Sequence, residues 1–222
     1  MLKMTTVLYT TDTPSHRAFA WQVSQVRPFD AIVYEPATDR DPWLEFIDED
    51  KQLRGASCLF SAEKVMLTRD ITKVCVPCTT AILYGTRNAS PRLVQSATYC
   101  VTIHDGDPHN HRGLDSHLWA LADPLPPDLV ARLVVSLLKT DPERDCGVVL
   151  ADRELEPAGW PFEAVRAYAT RAAVSLVDSF LLQPGLRYQA NFAKLPNGIS
   201  RGRFPREHLD QARAGFARWS QS

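Results

Sequence analysis

The hydrophobic positions of this chain come in short blocks set between polar stretches. Val7–Tyr9 and Ala31–Tyr34 read as brief buried strands. Between them Ser15 is placed to cap a helix running to about Val26, with Phe19, Val23 and Val26 on one face. Residues 37–70 are polar and weakly periodic, with Trp43, Leu44 and Ile47 as a helical anchor. Lys73–Val76 and Ala81–Tyr84 are apolar and rich in strand formers, the second being the better central strand. Gly85–Asn88 follows as a loop and Pro91–Ala97 as a short helix opened by its proline. Cys100–Ile103 is the next strand, and a helix is expected from about Asp115 to Ala122.

Leu129–Lys139 is rich in Leu and Val, Gly147–Ala151 is a further strand, and 122–152 reads as β-hairpin material. Pro161 opens the clearest helix, about 162–182, in which Val165, Ala169, Ala172, Leu176 and Phe180 share a face while Arg166, Arg171 and Asp178 lie elsewhere. Its alanines permit the close helix approach that a homodimer face would use. From Gln183 the chain is irregular, with turns at Pro184-Gly185 and Pro196-Asn197-Gly198 and a last helix over Arg206–Trp219. Strands alternating with helices imply a largely parallel α/β sheet, made mixed by the hairpin and covered on both faces. The expected division is an α/β domain over 1–183 and a C-terminal helical and irregular extension over 184–222.

Composition narrows this picture. The 222 residues carry a net charge of −1, which argues against a nucleic-acid partner, although Arg201, Arg203, Arg206, Arg213 and Arg218 gather in the tail. The five cysteines are odd in number and sparse, so a disulfide framework is not expected. With no secretory leader and no membrane-length apolar run (the longest are broken by Arg132 and Asp178), a cytoplasmic chain without a membrane partner is expected.

The candidate chemistry gathers at residues 100–121, which hold four of the six histidines: His104, His109, His111 and His117. The apolar run Cys100–Ile103 delivers His104 to a polar loop, where an imidazole can hold and pass a proton near neutral pH. Asp145-Cys146-Gly147, just ahead of a strand, offers a carboxylate able to orient an imidazole. No metal site is expected, because His109-Asn110-His111 is too closely spaced for ligands on one helix face. Cys75 and Cys78 form a lone CxxC flanked by strand pattern and read as core cysteines. Thr10–Pro14 contains no glycine, so no phosphate loop follows the first strand, and no Gly-x-Ser-x-Gly elbow is present.

These residues together resemble the formyltransferase family that uses 10-formyltetrahydrofolate. The family motif is a strand ending Asn-x-His-Pro-Ser, a loop to Arg-Gly, and a helix with a Trp-Ala pair. Here it reads Thr102-Ile-His104-Asp-Gly106, Arg112-Gly113 and Trp119-Ala120, followed by the Asp-x-Gly of Asp145-Cys-Gly147. Ala81–Thr86 resembles the strand and loop bordering the folate pocket.

The resemblance covers about residues 72–155 and implies a Rossmann-like fold with a one-carbon group transfer. It implies that His104 and Asp145 are the acid–base pair. Thr102 stands where the family has the asparagine that steadies the developing oxyanion. Leu83, Tyr84, Gly85, Thr86, Asp141 and Arg144 would border the cosubstrate 10-formyltetrahydrofolate, and Gly106, Asn110 and Arg112 the acceptor. No ordinary-sized domain follows the long helix and no glycine-rich loop follows the first strand. The similarity is therefore to the small-molecule branch, which formylates amino sugars on nucleotides and amines of natural-product precursors. A folate-dependent hydrolase or other one-carbon or acyl enzyme on the same fold, and a non-catalytic binding protein, are the alternatives.

Overall fold

The computed structural model describes residues 4–36, 65–86, 89–123, 131–140, 147–156, 159–189 and 199–221. The first strand, β1 (Thr6–Asp12), buries successive side chains on opposite faces: Leu8 packs with Phe19, Ile82 and Val101, while Val7 and Tyr9 pack with Val33, Ala81 and Leu83. A strand buried on both sides cannot alternate apolar with polar, and this gives the short continuous blocks seen in the sequence.

Helix α1 (Pro14–Val26) begins one residue before the expected cap. The Thr13 hydroxyl accepts from the His16 amide and Pro14 occupies the first turn, so Ser15 lies inside the helix and is buried. The helix stops at Arg27, whose extended backbone suits the residue before Pro28, and Val26 at its end is 60% exposed instead of facing the core. Strand β2 (Ala31–Pro36) follows as expected, and β3 (Val65–Leu67) adds an edge strand the pattern did not show. The expected strand at Lys73–Val76 is absent. Asp70 caps a 3-10 turn at Ile71–Lys73 by accepting from the Thr72 amide, and Ile71 plugs the core. The helix anchor expected at Trp43, Leu44 and Ile47 lies outside the described residues.

Strand β4 (Cys78–Tyr84), helix α2 (Pro91–Gln95, capped by Ser90) and strand β5 (Ala97–His104) complete the parallel part. After the short strand β6 (His111–Gly113) and helix α3 (Ser116–Ala122) come β7 (Val134–Lys139) and β8 (Val148–Glu154), antiparallel to each other, with β7 antiparallel to β5. The described residues thus form a seven-stranded mixed sheet ordered β3-β2-β1-β4-β5-β7-β8. The chain steps outward from β1 to β3 and then returns to β4, so the strand order reverses between β1 and β4. The carboxyl ends of parallel strands beside such a reversal are where this class of sheet binds ligands.

A 3-10 turn (Phe162–Ala164) leads into α4 (Val165–Leu182), which lies against α1 and is tied to it by the Arg27–Asp178 ion pair at 2.8 Å. Ala169, Ala172 and Ala173 are buried within the subunit's own core. A helix, α5 (Pro184–Gln189), replaces the turn expected at Pro184-Gly185; the turn expected at Pro196-Asn197-Gly198 lies outside the described residues, and strand β9 (Ile199–Arg201), which pairs with β6, and α6 (Leu209–Trp219) follow. Helix α6 presses on α3 so closely that a Cβ on Gly215 would stand 1.8 Å from the Leu121 carbonyl oxygen. Phe216 and Trp219 join the same core as Phe162 and Leu118. Three of the tail's arginines meet carboxylates: Arg201 with Asp123, Arg203 with Asp115 and Arg213 with Glu163. No helix of the described residues is long and apolar enough to cross a membrane.

Candidate active site

Alternation along β5 puts Cys100, Thr102 and His104 on one face of the sheet and Val101 and Ile103 on the other. His104 ends the strand. Its Nε2 is 2.8 Å from the His111 carbonyl oxygen. A carbonyl can only accept, so Nε2 carries the hydrogen and Nδ1 the lone pair. Burial pushes the imidazole's pKa below its ordinary value; the bond to His111 and the charge of Asp105 oppose this without cancelling it. The ring is therefore neutral at pH 7. Gly106 makes room for it: a Cβ there would stand 2.9 Å from Nε2 and 2.4 Å from the Ser116 Cβ. Ser136, directly across from His104 on β7, holds this bend by donating to the Gly106 carbonyl at 3.2 Å.

Thr102 lies between Leu83 of β4 and Leu138 of β7, and its hydroxyl is 2.9 Å from that of Thr140. Two hydroxyls therefore stand on the face that carries His104. Thr140 donates its amide to Cys100, and the Lys139↔Val148 pairing brings Gly147 against the end of β7, where a Cβ would collide with Lys139. The roots of the 141–146 loop are thus fixed beside Cys100, about 13 Å along β5 from His104. Asp141, Arg144 and Asp145 lie outside the described residues.

Among the residues expected to border folate, Leu83 and Tyr84 are fully buried. Their side chains belong to the core, which leaves the backbone of this segment and the half-exposed Thr86 for a ligand. Gly85 has φ +71°, and a Cβ on it would meet His16 Nε2 at 2.1 Å; the imidazole of α1 covers that surface. Asn110 is exposed, and its amide donates to Asp107 at 3.1 Å within the loop's own turn. Arg112 is buried and donates from Nε to the Pro108 carbonyl at 2.8 Å. Both side chains thus take part in holding the loop together.

One constellation escaped the sequence reading. Asp105, the residue after His104, is held on the α1/α4 side by Arg166, whose Nη1 is 3.0 Å from Oδ2, with the two side chains 11–12% exposed. The Tyr84 hydroxyl donates to the same carboxylate at 3.1 Å, and Arg166 Nε also reaches the Ser15 hydroxyl at 3.4 Å. Burial alone would raise the Asp105 pKa, but the Arg166 guanidinium outweighs it and keeps the carboxyl ionised. His16 is bonded through Nδ1 to the Thr13 hydroxyl at 2.6 Å. His117 bonds through Nε2 to the Val134 carbonyl at 2.7 Å, and burial keeps it neutral. Arg166, expected off the packing face, is in fact the cation of this cluster.

Among the described residues no three His, Cys, Asp or Glu side chains gather as a metal set. Cys75 and Cys78 are half-buried, Cys78 packing against the core that contains the fully buried Cys100. Burial raises the thiols of Cys78 and Cys100 to about 11, so both stay protonated at neutral pH.

No family model and no curated protein matches the sequence. Solved structures do match the fold. A sugar N-formyltransferase from a Shewanella species shares 16% identity over 96% of this chain and 88% of its own, with a TM-score of 0.58. A 4-N formyltransferase from Francisella tularensis shares 11% over 96% of this chain and 88% of its own, with a TM-score of 0.56. HypX from Aquifex aeolicus, in complex with tetrahydrofolic acid, shares 15% over 95% of this chain and 34% of its own, with a TM-score of 0.55. At these identities the likeness is one of fold: this chain has the α/β architecture of the formyltransferases.

Proposed function

We propose that the chain is an N-formyltransferase that moves a formyl group from 10-formyltetrahydrofolate to the amine of a small molecule, an amino sugar nucleotide or a natural-product precursor. One observation carries this reading: a neutral imidazole with a fixed tautomer, His104, ends strand β5, next to the central strand, on a fold shared with formyltransferases. In the transfer the acceptor nitrogen bonds to the formyl carbon, the bond from that carbon to folate N10 breaks, and one proton passes from the amine to N10. The reaction needs a group that takes and returns a proton near pH 7, and His104 is that group. The Thr102 and Thr140 hydroxyls share one hydrogen bond, and the one that accepts it keeps its own hydrogen for the oxygen that gains charge. Asp145 is the proposed partner of the imidazole. The folate is supported by the neighbour solved with tetrahydrofolic acid, and its ring would lie along the backbone near Thr86 and the 141–144 loop.

The test is tetrahydrofolate release from 10-formyltetrahydrofolate with a panel of nucleotide-linked amino sugars and hydroxylamine-type amines. Release that requires an amine is expected. Equal release in its absence would make water the acceptor and the protein a hydrolase. Neither turnover nor calorimetric folate binding would leave a non-catalytic protein.

A further inference from the structure

The carbonyl that fixes His104 belongs to His111, in the first position of β6, and β6 exists only as a pair with β9 from the far end of the chain. The register is His111↔Ile199, Arg112↔Ser200 and Gly113↔Arg201. Four residues show that the loop after His104 and helix α3 are built around this distant segment: Gly113, Asp115, Trp119 and Asp123. Gly113 has φ +92°, and a Cβ there would stand 2.0 Å from the Arg201 carbonyl oxygen, so no other residue allows the two backbones to close. Asp115 has φ 54°, a left-handed conformation uncommon outside glycine, which aspartate tolerates better than most side chains. Its carboxylate accepts from Arg203 Nη1 and from the Phe204 amide, each at 3.1 Å, which holds that conformation in place. Asp123, just past α3, takes both Arg201 nitrogens at 2.8 and 3.0 Å and stands 3.7 Å from His111 Nδ1. The Trp119 indole donates to the Gly202 carbonyl at 3.0 Å, and the Arg201 guanidinium lies over the Trp119 ring. Every residue from 201 to 204 is fastened to the loop or to α3.

We propose that residues 199–204 are a strap that positions His104: by pairing with β6 they hold the His111 carbonyl against Nε2, which fixes the ring's orientation and leaves Nδ1 as the nitrogen that exchanges the proton. Arg201 and Arg203, with Asp115 and Asp123, are its positioning residues. The inference rests on His104 being the acid–base group. It gives the C-terminal segment a part in the chemistry without contact with either substrate. The same Nε2–H would otherwise be free to turn to water, and the ring would sample both tautomers.

The experiment uses the full chain labelled with ¹⁵N-histidine, read by two-bond ¹H–¹⁵N spectra that distinguish the two tautomers. The wild type is expected to show His104 in the Nε2–H form alone. Gly113→Ala, and separately the double change Arg201→Gln/Arg203→Gln, release the strap by different routes, and amide exchange at 111–113 and 199–201 verifies the release. Each should give a tautomer mixture at His104 and lower kcat by about 100-fold, the scale of a misplaced catalytic group, with the folate KM unchanged. The conservative pair Arg201→Lys/Arg203→Lys should recover part of both. If Gly113→Ala does not fold, the arginine variants decide. A released strap with the Nε2–H tautomer and kcat intact would overturn the proposal. A shifted tautomer in a protein that transfers no formyl group would keep the strap and remove the proposed function instead.

Discussion

His104 and Asp105 are adjacent in sequence and opposite in circumstance. Asp105 is a largely buried charge with two fixed partners: the Arg166 guanidinium and the Tyr84 hydroxyl. His104 is a half-buried neutral ring bonded to one backbone carbonyl, with a hydroxyl two residues back on the same face. A carboxylate committed to a guanidinium and a phenol has little left to offer a reaction; it joins the end of β5 to α4. A neutral ring with one nitrogen committed keeps a lone pair for a proton. The two faces of one strand end divide the work between holding and reacting.

The holding side is the easier to break. Asp105→Ala takes the carboxylate away from the Arg166 guanidinium and should cost about 3–5 kcal/mol in urea unfolding. The double change Asp105→Leu/Arg166→Met should recover most of that, because it removes both buried charges. A double variant as unstable as the single would show that packing, not charge pairing, makes the cluster matter.

On the reacting side, Thr102→Val removes a hydroxyl at nearly constant shape. Formyl transfer should fall about 10²–10³-fold while stability changes little, and Thr102→Asn should retain or raise the rate. Equal rates for the wild type and Thr102→Val would remove Thr102 from the oxyanion site.

Gly85→Ala tests how closely α1 covers the end of β4. Positive φ and the His16 ring together should cost on the order of 1–3 kcal/mol by thermal unfolding; an unperturbed variant would mean that His16 moves aside freely.

Acid titration gives the smallest effect per residue. His104, His111 and His117 are held below the ordinary 6.5, so below that pH the unfolded chain takes up protons that the folded one refuses. Stability should be full above pH 6.5 and fall as pH drops toward the folded-state values, by at most about 1.4 kcal/mol per histidine for each unit. The Asp105 contribution should persist until pH passes below 3.8, its unfolded value, toward its lower folded one. Unfolding free energies equal at pH 8 and 5.5 would contradict the buried, neutral histidines.

The same contrast explains what could be read from the chain alone. Strands β1, β2, β4 and β5 announce themselves because burial on both faces makes apolar blocks. The hairpin of β7 and β8 follows from a Leu- and Val-rich run and a turn. His104 was legible as a polar residue at the end of such a block. Arg166 left a fainter trace: it stands in line with Thr170, Ala173 and Val177 at helical spacing, all three fully buried, so an arginine there must point inward. The apolar face chosen for that helix ran through its neighbours, and the trace was missed. Strands β6 and β9 left none. Three residues carry no periodicity, and their pairing spans the chain between 113 and 199. Only the glycine at 113 and the arginines of the tail mark it, and the tail's charges read as a basic patch until their carboxylate partners were in place.

The most direct test of the account is single-turnover conversion of 10-formyltetrahydrofolate by the wild type and by His104→Asn, each with the acceptor amine and with matched folding checked by circular dichroism. The account predicts amine-dependent tetrahydrofolate formation by the wild type and a rate about 10²–10⁴-fold lower for the variant. Equal rates for the two proteins would contradict it.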